Sequence, residues 1–213
     1  MTSAQQLDFS KGSIFRHILR LAGPMTLAQL INVLYNIVDR IFVGQIGGEG
    51  SLALTGLGVC FPVITIVIAF TNLIGMGGAP LFSITRGAGD DEEAARILGN
   101  SFTLLLLFGV LLTAAGLAVK TPLLRALGAS DATLPYADAY LTVYLFGSVF
   151  VSLSLGLNSF INAQGFARTG MLTVAIGAVL NLILDPLFIM VFHMGVQGAA
   201  LATILSQAVS AAW

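Results

Sequence analysis

Residues 24–44 read PMTLAQLINVLYNIVDRIFVG, and this stretch decides the fold of the chain. No charged side chain precedes Asp39 in it, and Leu, Ile, Val and Met fill most of the other positions. One α-helix of about 20 such residues crosses the roughly 30 Å hydrocarbon core of a membrane. The stretch therefore predicts a transmembrane helix, around which the rest of the chain is expected to pack.

The polar residues of this helix share one face. Gln29, Asn32, Asn36 and Asp39 are separated by helical steps of three and four, and Tyr35 flanks the same stripe. An ionisable group in a membrane helix is costly, so it is expected to face a bundle interior or a wet cavity. We interpret Asp39 as a functional residue; the alternative is a helix-end residue at the water boundary.

The composition bounds the class of protein. The chain has 213 residues, of which 57% are hydrophobic and 9% charged, and its mean hydropathy is +0.95. A soluble domain has about 25% charged residues, so the sequence predicts an all-α integral membrane protein in a lipid bilayer. A net charge of -1 argues against nucleic acid as a partner. The single cysteine excludes an intramolecular disulfide.

Charge-free runs predict a bundle of six membrane helices. Their expected ranges are about 18–43, 53–80, 97–119, 139–163, 169–192 and 196–213. The polar segment RGAGDDEEAAR at 86–96 is predicted as a loop with Asp90 or Asp91 capping the next helix, and 120–138 as a connecting segment. The last run stops inside apolar sequence, which leads us to expect a fragment of a longer protein.

The basic residues predict the orientation through the positive-inside rule. With a cytoplasmic N-terminus, six of them lie inside (Lys11, Arg16, Arg20, Arg86, Arg96, Arg168) and three outside (Arg40, Lys120, Arg125). This excess favours a multi-pass protein of the cell inner (plasma) membrane with its N-terminus in the cytoplasm.

The same orientation places several polar residues at one depth. With a helical rise of about 1.5 Å per residue, Asp39, Asp185 and Thr203 all fall in the outer half of the membrane. Tyr140 joins that layer from the outer start of the fourth helix. Asn181 precedes Asp185 by one helical turn and shares its face.

Two coupling chemistries remain open for this layer. Pro186 removes the helical hydrogen bond to the Leu182 carbonyl, and the oxygen atoms around it suit a hard cation such as Na+. Asp39, Asn181 and Asp185 are the candidate Na+ ligands. A protonated carboxyl that donates to the same carbonyl fits equally well, which makes H+ the other candidate. The structural alternative is that Asn181 and Asp185 are packing contacts between helices.

Enzyme chemistry is not supported by the sequence. The G-A-G-D at 87–90 resembles the G-x-G-D of intramembrane aspartyl proteases, but it stands in a charged loop. No nucleophile elbow and no phosphate-binding loop is present in the sequence. We therefore expect neither an enzyme nor a cofactor other than the coupling ion.

Five segments resemble the multidrug and toxic compound extrusion (MATE) family of secondary transporters. They are PMTLAQLINVLYNIVDRIFVG at 24–44, GAGDDEEAAR at 87–96, LNSFINAQG at 157–165, NLILDP at 181–186 and GVQGAALAT at 195–203. Together they cover nearly the whole chain in the family's order. The resemblance implies the N-terminal six-helix lobe of a twelve-helix, two-lobe transporter, with the C-terminal lobe as its missing partner.

The resemblance also implies a function and a set of roles. The function is export of cationic amphipathic compounds in exchange for H+ or Na+. The implied cation-coupling residues are Asp39, Asn181, Asp185, Thr203 and Tyr140. The expected substrate cavity is lined by Gln29, Asn32, Tyr35, Asn36 and Asn158.

Three alternatives stay open. A lipid-linked saccharide flippase of similar architecture requires arginines inside the cavity for its pyrophosphate cargo, whereas the interior ionisable residues here are acidic. A half-size channel or transporter subunit would assemble as a dimer. A non-transporting scaffold would tolerate replacement of Asp39 and Asp185 by Asn.

Overall fold

The structure, a computed structural model, describes residues 13–213; Lys11 and the side chain of Arg16 lie outside the described residues. Six α-helices make up this part of the chain. They are α1 Ile14–Gly44, α2 Gly50–Gly87, α3 Asp91–Ala126, α4 Leu134–Ala163, α5 Ala167–Pro186 and α6 Gly195–Ala212. A π-helical turn, Leu187–Val191, continues α5. The all-α bundle predicted from the sequence is confirmed.

Five of these helices, with α5 and its π-helical turn counted as one, are long and apolar enough to cross a membrane. The sixth predicted span is helical, but α6 is not among the five. Gln197, Gln207 and several small residues lower its hydropathy.

The polar turn between α2 and α3 is shorter than the loop predicted at 86–96. α2 continues to Gly87 and α3 already begins at Asp91. Asp90 caps α3, since its Oδ1 accepts a hydrogen bond from the Glu93 backbone N–H at 3.0 Å. This cap confirms one of the two residues expected for that role.

The prediction of a connecting segment over 120–138 is wrong for most of its length. α3 runs through Pro122 to Ala126, and α4 starts at Leu134. The segment interrupts the charge-free runs, but two of its charged residues link the helices: Lys120 Nζ lies 2.6 Å from Asp138 Oδ2. Only residues 127–133 connect the helices, and Gly128 turns the chain there with a φ of +102°.

α4 is the centre of the bundle. It packs against α2, α3 and α6 more extensively than any other helix packs against its neighbours. Leu141, Leu145 and Val151 of α4 belong to the main buried core. A glycine of α2, Gly56, allows the close approach of this helix to the first turn of α4.

α1 lies at the side of the bundle. It packs mainly on α5 and has fewer contacts with α2 and α6. Its exposed face carries Leu30, Val33, Leu34, Ile37 and Ile41. Because α1 does not fill the space beside α2, α4 and α6, a cavity remains between these four helices.

The short connections make successive helices run in opposite directions. The connections over 45–49, 127–133 and 192–194 lie at one end of the bundle, and those over 88–90 and 164–166 lie at the other. We call the first end the upper end and the second the lower end.

Candidate functional site

The cavity between α1, α2, α4 and α6 has a volume of about 210 Å³ and opens to the surface. Residues predicted from the polar face of α1 line it, together with residues from α4 and α6: Asn32, Tyr35, Asn36, Asp39, Tyr140 and Thr203. Leu57, Ile64 and Ile68 of α2 form an apolar wall. A mixed lining of this kind accommodates an amphipathic molecule with an apolar body and a polar end.

Two buried carboxyl groups meet beside this cavity. Asp39, in the last turns of α1, is 9% exposed, and Asp185, in the last turn of α5, is 0% exposed. Their side chains are within hydrogen-bonding reach of each other. Two carboxylates in contact repel each other, so this contact requires a proton or a cation. The pair is therefore suited to take up one positive charge.

Asn181 fixes one side of the pair. Its Nδ2 donates to Asp185 Oδ1 at 3.1 Å and lies 3.5 Å from Thr203 Oγ1. Three buried oxygens, Asp39 Oδ1, Asp185 Oδ2 and Asn181 Oδ1, have no hydrogen-bond partner among the described residues. Buried acceptors without a donor are costly. A proton on the pair, or a hard cation bound by these oxygens, would remove that cost.

The ligand chemistry available here is that of oxygen atoms. Within residues 13–213, no three His, Cys, Asp or Glu side chains come together as a metal site. Beside Asp185 lie the side-chain amide of Asn181 and, 3.5 Å from its Nδ2, the hydroxyl oxygen of Thr203. These neutral oxygens match the preference of a hard cation.

Tyrosines of α4 form the wall opposite α1. Tyr140 and Tyr144 are both buried, and their stacked rings have centroids 6.2 Å apart. Both line the cavity. Tyr136, one turn nearer the upper end, donates a hydrogen bond to Glu49 in the turn after α1. The tyrosine stripe thus joins the cavity to the upper end of the bundle.

Two residues expected in the substrate cavity are not among those that line it. Gln29 is exposed on α1, ten residues before Asp39, which is about 15 Å along a helix. Asn158 lines a separate cavity of about 110 Å³ together with Thr173 and Ser210. Its Nδ2 donates to the Gly170 carbonyl at 3.1 Å, which ties α4 to α5. Helical facing placed Gln29 on the right stripe but does not fix depth, and Asn158 was expected from the resemblance alone; a role of either residue in the substrate path of the complete protein stays a prediction.

Arg40, Phe61 and Gln207 are among the lining residues that were not identified from the sequence. Arg40 has the pattern of a charge at a span end and is exposed near the end of α1. It also borders the cavity, with its guanidinium carbon 4.4 Å from the centroid of the Phe61 ring. Phe61 lies in the long apolar run of α2, which carries no signal for a cavity. Gln207 follows Thr203 by four residues, so helical spacing on α6 would have identified it.

Comparison with known proteins gives relatives over nearly the whole chain. The chain is 30% identical over 210 residues to the multidrug export protein MepA of Staphylococcus haemolyticus, covering 99% of this chain and 46% of that protein. It is 30% identical over 205 residues to the probable multidrug resistance protein YpnP of Bacillus subtilis, covering 95% of this chain and 45% of that protein.

The fold matches solved transporter structures. Superposition on the outward-facing conformation of a multidrug resistance MATE family transporter of the MOP superfamily gives a TM-score of 0.88 at 32% identity. That match covers 100% of this chain and 46% of the other. The chain thus spans about half the length of the relatives it matches, which agrees with one lobe of a two-lobe transporter. The MatE family model matches residues 24–187, and the chain therefore belongs to this family of multidrug and toxic compound extrusion transporters.

Proposed function

We propose that the complete protein is a secondary active antiporter that exports cationic amphipathic drugs in exchange for H+ or Na+. In this proposal the present chain is the lobe that binds the coupling cation, and a second lobe completes the substrate path. The carrying observation is the contact between Asp39 and Asp185 beside an amphipathic cavity. The relatives of this chain are transporters rather than enzymes. One is named a multidrug export protein and another a probable multidrug resistance protein.

Cation binding would couple to the position of α1. Asp39 is on α1 and Asp185 is on α5, the helix on which α1 mainly packs. A bound H+ or Na+ removes the repulsion between the carboxyls and stabilises this packing. Loss of the cation favours another bend of α1, for which Pro24 provides a weak point in the helix. A cationic substrate competes for the same negative charge. Exchange follows if the two conformations of α1 differ in their affinities for the coupling cation and for the substrate.

Charge-removing substitutions of the pair test this proposal. In cells that express the complete gene product containing this chain, Asp39→Asn and Asp185→Asn are each expected to reduce efflux of a fluorescent cationic dye about tenfold or more, the factor that corresponds to about 1.4 kcal/mol. The amide keeps the size of the side chain but cannot carry the negative charge that attracts the dye.

Asp131→Asn is the matched control, because the Asp131 side chain is 90% exposed in the turn before α4. Membrane levels of all variants are compared by immunoblot. Unchanged efflux in both Asp39→Asn and Asp185→Asn, at normal membrane levels, would place the coupling site elsewhere, in the second lobe.

A lipid-linked saccharide flippase is the second candidate, and one observation favours it. Arg40 lines the cavity, and a guanidinium is a suitable partner for pyrophosphate. Two acids beside one arginine still favour cationic cargo. For a flippase, neutralising Arg40 would abolish function whereas Asp39→Asn would be tolerated, the reverse of the antiporter expectation.

A further inference from the structure

The cavity between α1, α2, α4 and α6 is long and narrow. Its lining residues run from Arg40 down to Asn32 in α1 and from Leu57 down to Ile68 in α2. At the rise of an α-helix, these two ranges extend about 12 Å and about 16 Å along the bundle. Because a volume of about 210 Å³ is drawn out over such a length, the cavity suits an extended molecule better than a bulky one.

The charged lining residues lie in the upper part of this cavity. Asp39 is buried there, whereas Arg40 is exposed near the end of α1. Below them the walls are neutral, and Ile64 of α2 and Val151 of α4 make them largely apolar. A cationic group is therefore attracted to one end of the cavity, at Asp39, and the apolar part of the same molecule extends towards the lower end.

Two amide side chains line the lower part of the cavity. Asn32 is the lowest lining residue of α1 and lies about 10 Å below Asp39 at the rise of a helix. Gln207 is the lowest lining residue of α6, one turn below Thr203. Both amides are half-buried. A polar side chain of this kind in a membrane helix needs a polar partner, and a ligand in the cavity can provide it.

A hydrogen bond within α1 orients the Asn32 side chain. Asn36 Nδ2 donates to the backbone carbonyl and to the Oδ1 of Asn32, both at 2.8 Å. This contact uses the acceptor atoms of Asn32 and leaves its two amide N–H groups for an acceptor on a ligand. Gln207 adds two N–H groups and a carbonyl oxygen from α6. The lower part of the cavity is thus suited to a neutral oxygen, such as that of a hydroxyl, an ether or a carbonyl.

We propose that this cavity selects elongated cations that carry a neutral hydrogen-bonding group about 10 Å from the charge. The charge binds at Asp39, and the neutral group binds at Asn32 and Gln207. This inference rests on the proposed antiport function and specifies its substrate class and the orientation of the substrate. A cation with a tail that is apolar to its end leaves both amides without a partner, which lowers its affinity.

The test compares two cations that differ by one oxygen atom. Decyltrimethylammonium has an apolar tail, and its analogue carries a hydroxyl on the last carbon of that tail. Each displaces a bound fluorescent cationic dye from the purified complete gene product, and the two affinities are expressed as a ratio. Gln207→Leu and Asn32→Leu are each expected to shift this ratio about tenfold towards the apolar tail, the factor that corresponds to loss of one hydrogen bond of about 1.4 kcal/mol.

Gln197→Leu is the matched control, because Gln197 is an exposed residue in the first turn of α6 and is not among the lining residues. It removes the same amide from the same helix and is expected to leave the ratio unchanged. The ratio cancels a general loss of affinity from altered packing. An unchanged ratio in both Gln207→Leu and Asn32→Leu would overturn the proposal. An equal shift in Gln197→Leu would overturn it too, since that residue lies outside the cavity.

Asp39→Asn distinguishes failure of this inference from failure of the antiport proposal. If both cations bind to wild type and bind more weakly to Asp39→Asn, while the ratio is the same in Gln207→Leu and Asn32→Leu, only this inference fails. If neither cation binds to wild type, or if Asp39→Asn leaves both affinities unchanged, the proposed function and the inference both fail.

Discussion

At the residue scale, a close contact between α2 and α4 near the upper end of the bundle requires a residue without a side chain, Gly56. A Cβ on Gly56 of α2 would lie 2.9 Å from Tyr136 Cβ, 3.0 Å from the Ala137 backbone nitrogen and 3.1 Å from the Thr133 carbonyl oxygen. Backbone atoms cannot rotate away, so α2 and α4 must separate. We expect Gly56→Ala to lower the free energy of unfolding by about 1–3 kcal/mol, the usual cost of overpacking.

Gly58→Ala in the same helix is the matched control. It is exposed, and a Cβ there meets nothing within 4 Å. Since Ala favours a helix over Gly by up to about 1 kcal/mol, this variant is expected to be neutral or slightly more stable. Unfolding midpoints of the purified protein in one detergent decide the comparison. Equal midpoints for the two variants would contradict the close approach of α2 to α4.

The residues around the acid pair show what a sequence reveals at this scale. Helical spacing and depth predicted that Asp39, Asp185, Thr203 and Tyr140 lie together, because both follow from fixed helix geometry. Arg40 was not placed in the cavity. A charge near a helix end has the same sequence pattern whether or not it also borders a cavity, and that depends on the packing of α2 beside α1.

At the element scale, a hydroxyl on α3 ties that helix to the central α4. Thr113 Oγ1 lies 2.7 Å from the Leu145 carbonyl oxygen and 2.9 Å from Ser148 Oγ. Interhelical hydrogen bonds in membrane proteins contribute about 0.6 kcal/mol on average and up to about 1.7 kcal/mol. We expect Thr113→Val, which keeps the shape, to destabilise the protein by an amount in this range in a denaturant titration in mixed micelles.

Thr103→Val on the same helix provides the comparison. Thr103 is exposed, and its hydroxyl donates at 2.9 Å to the Gly99 carbonyl of its own helix. Its replacement removes no contact between helices and is expected to leave the unfolding transition unchanged. A loss in Thr103→Val equal to that in Thr113→Val would assign the effect to threonine within α3, not to the α3–α4 contact.

The ends of the helices were the least predictable elements. Apolar runs locate the part of a helix inside the membrane, but α3 and α4 both extend beyond it into the segment over 120–138. The Lys120–Asp138 ion pair stabilises that extension, and such a pair depends on two helices already being neighbours. Pro122 also lies inside α3, although a proline in the interior of a helix usually ends or kinks it.

At the scale of the whole molecule, the six-helix bundle followed from hydropathy, whereas its arrangement did not. Hydropathy separates apolar helices from connections, but lipid and protein neighbours are equally apolar. It therefore gave no indication that α4 is central or that α1 packs mainly on α5. Small residues such as Gly56, where two helices approach closely, are the sequence signal for close packing. They do not indicate which helix packs at that position.

The orientation of the whole molecule is open to a direct test. The excess of basic residues at the lower end predicts that this end faces the cytoplasm and the upper end, near the acid pair, faces outward. Ala88, in the turn between α2 and α3, and Ala132, in the turn before α4, are both exposed and lie at opposite ends. In intact cells, a membrane-impermeant maleimide is expected to label Ala132→Cys and not Ala88→Cys.

The complete gene product without an added cysteine is the background control for this labelling. The one cysteine of the present chain, Cys60, is fully buried, and Cys60 Sγ lies 3.3 Å from both the Gly56 and Ala137 carbonyl oxygens. Opening the cells with mild detergent should make Ala88→Cys as reactive as Ala132→Cys, which shows that access and not reactivity sets the difference. Labelling of Ala88→Cys alone in intact cells would show the opposite topology, with the lower end facing outward. The acid pair would then lie towards the cytoplasm, and the direction of exchange proposed for the cavity would have to be reversed with it.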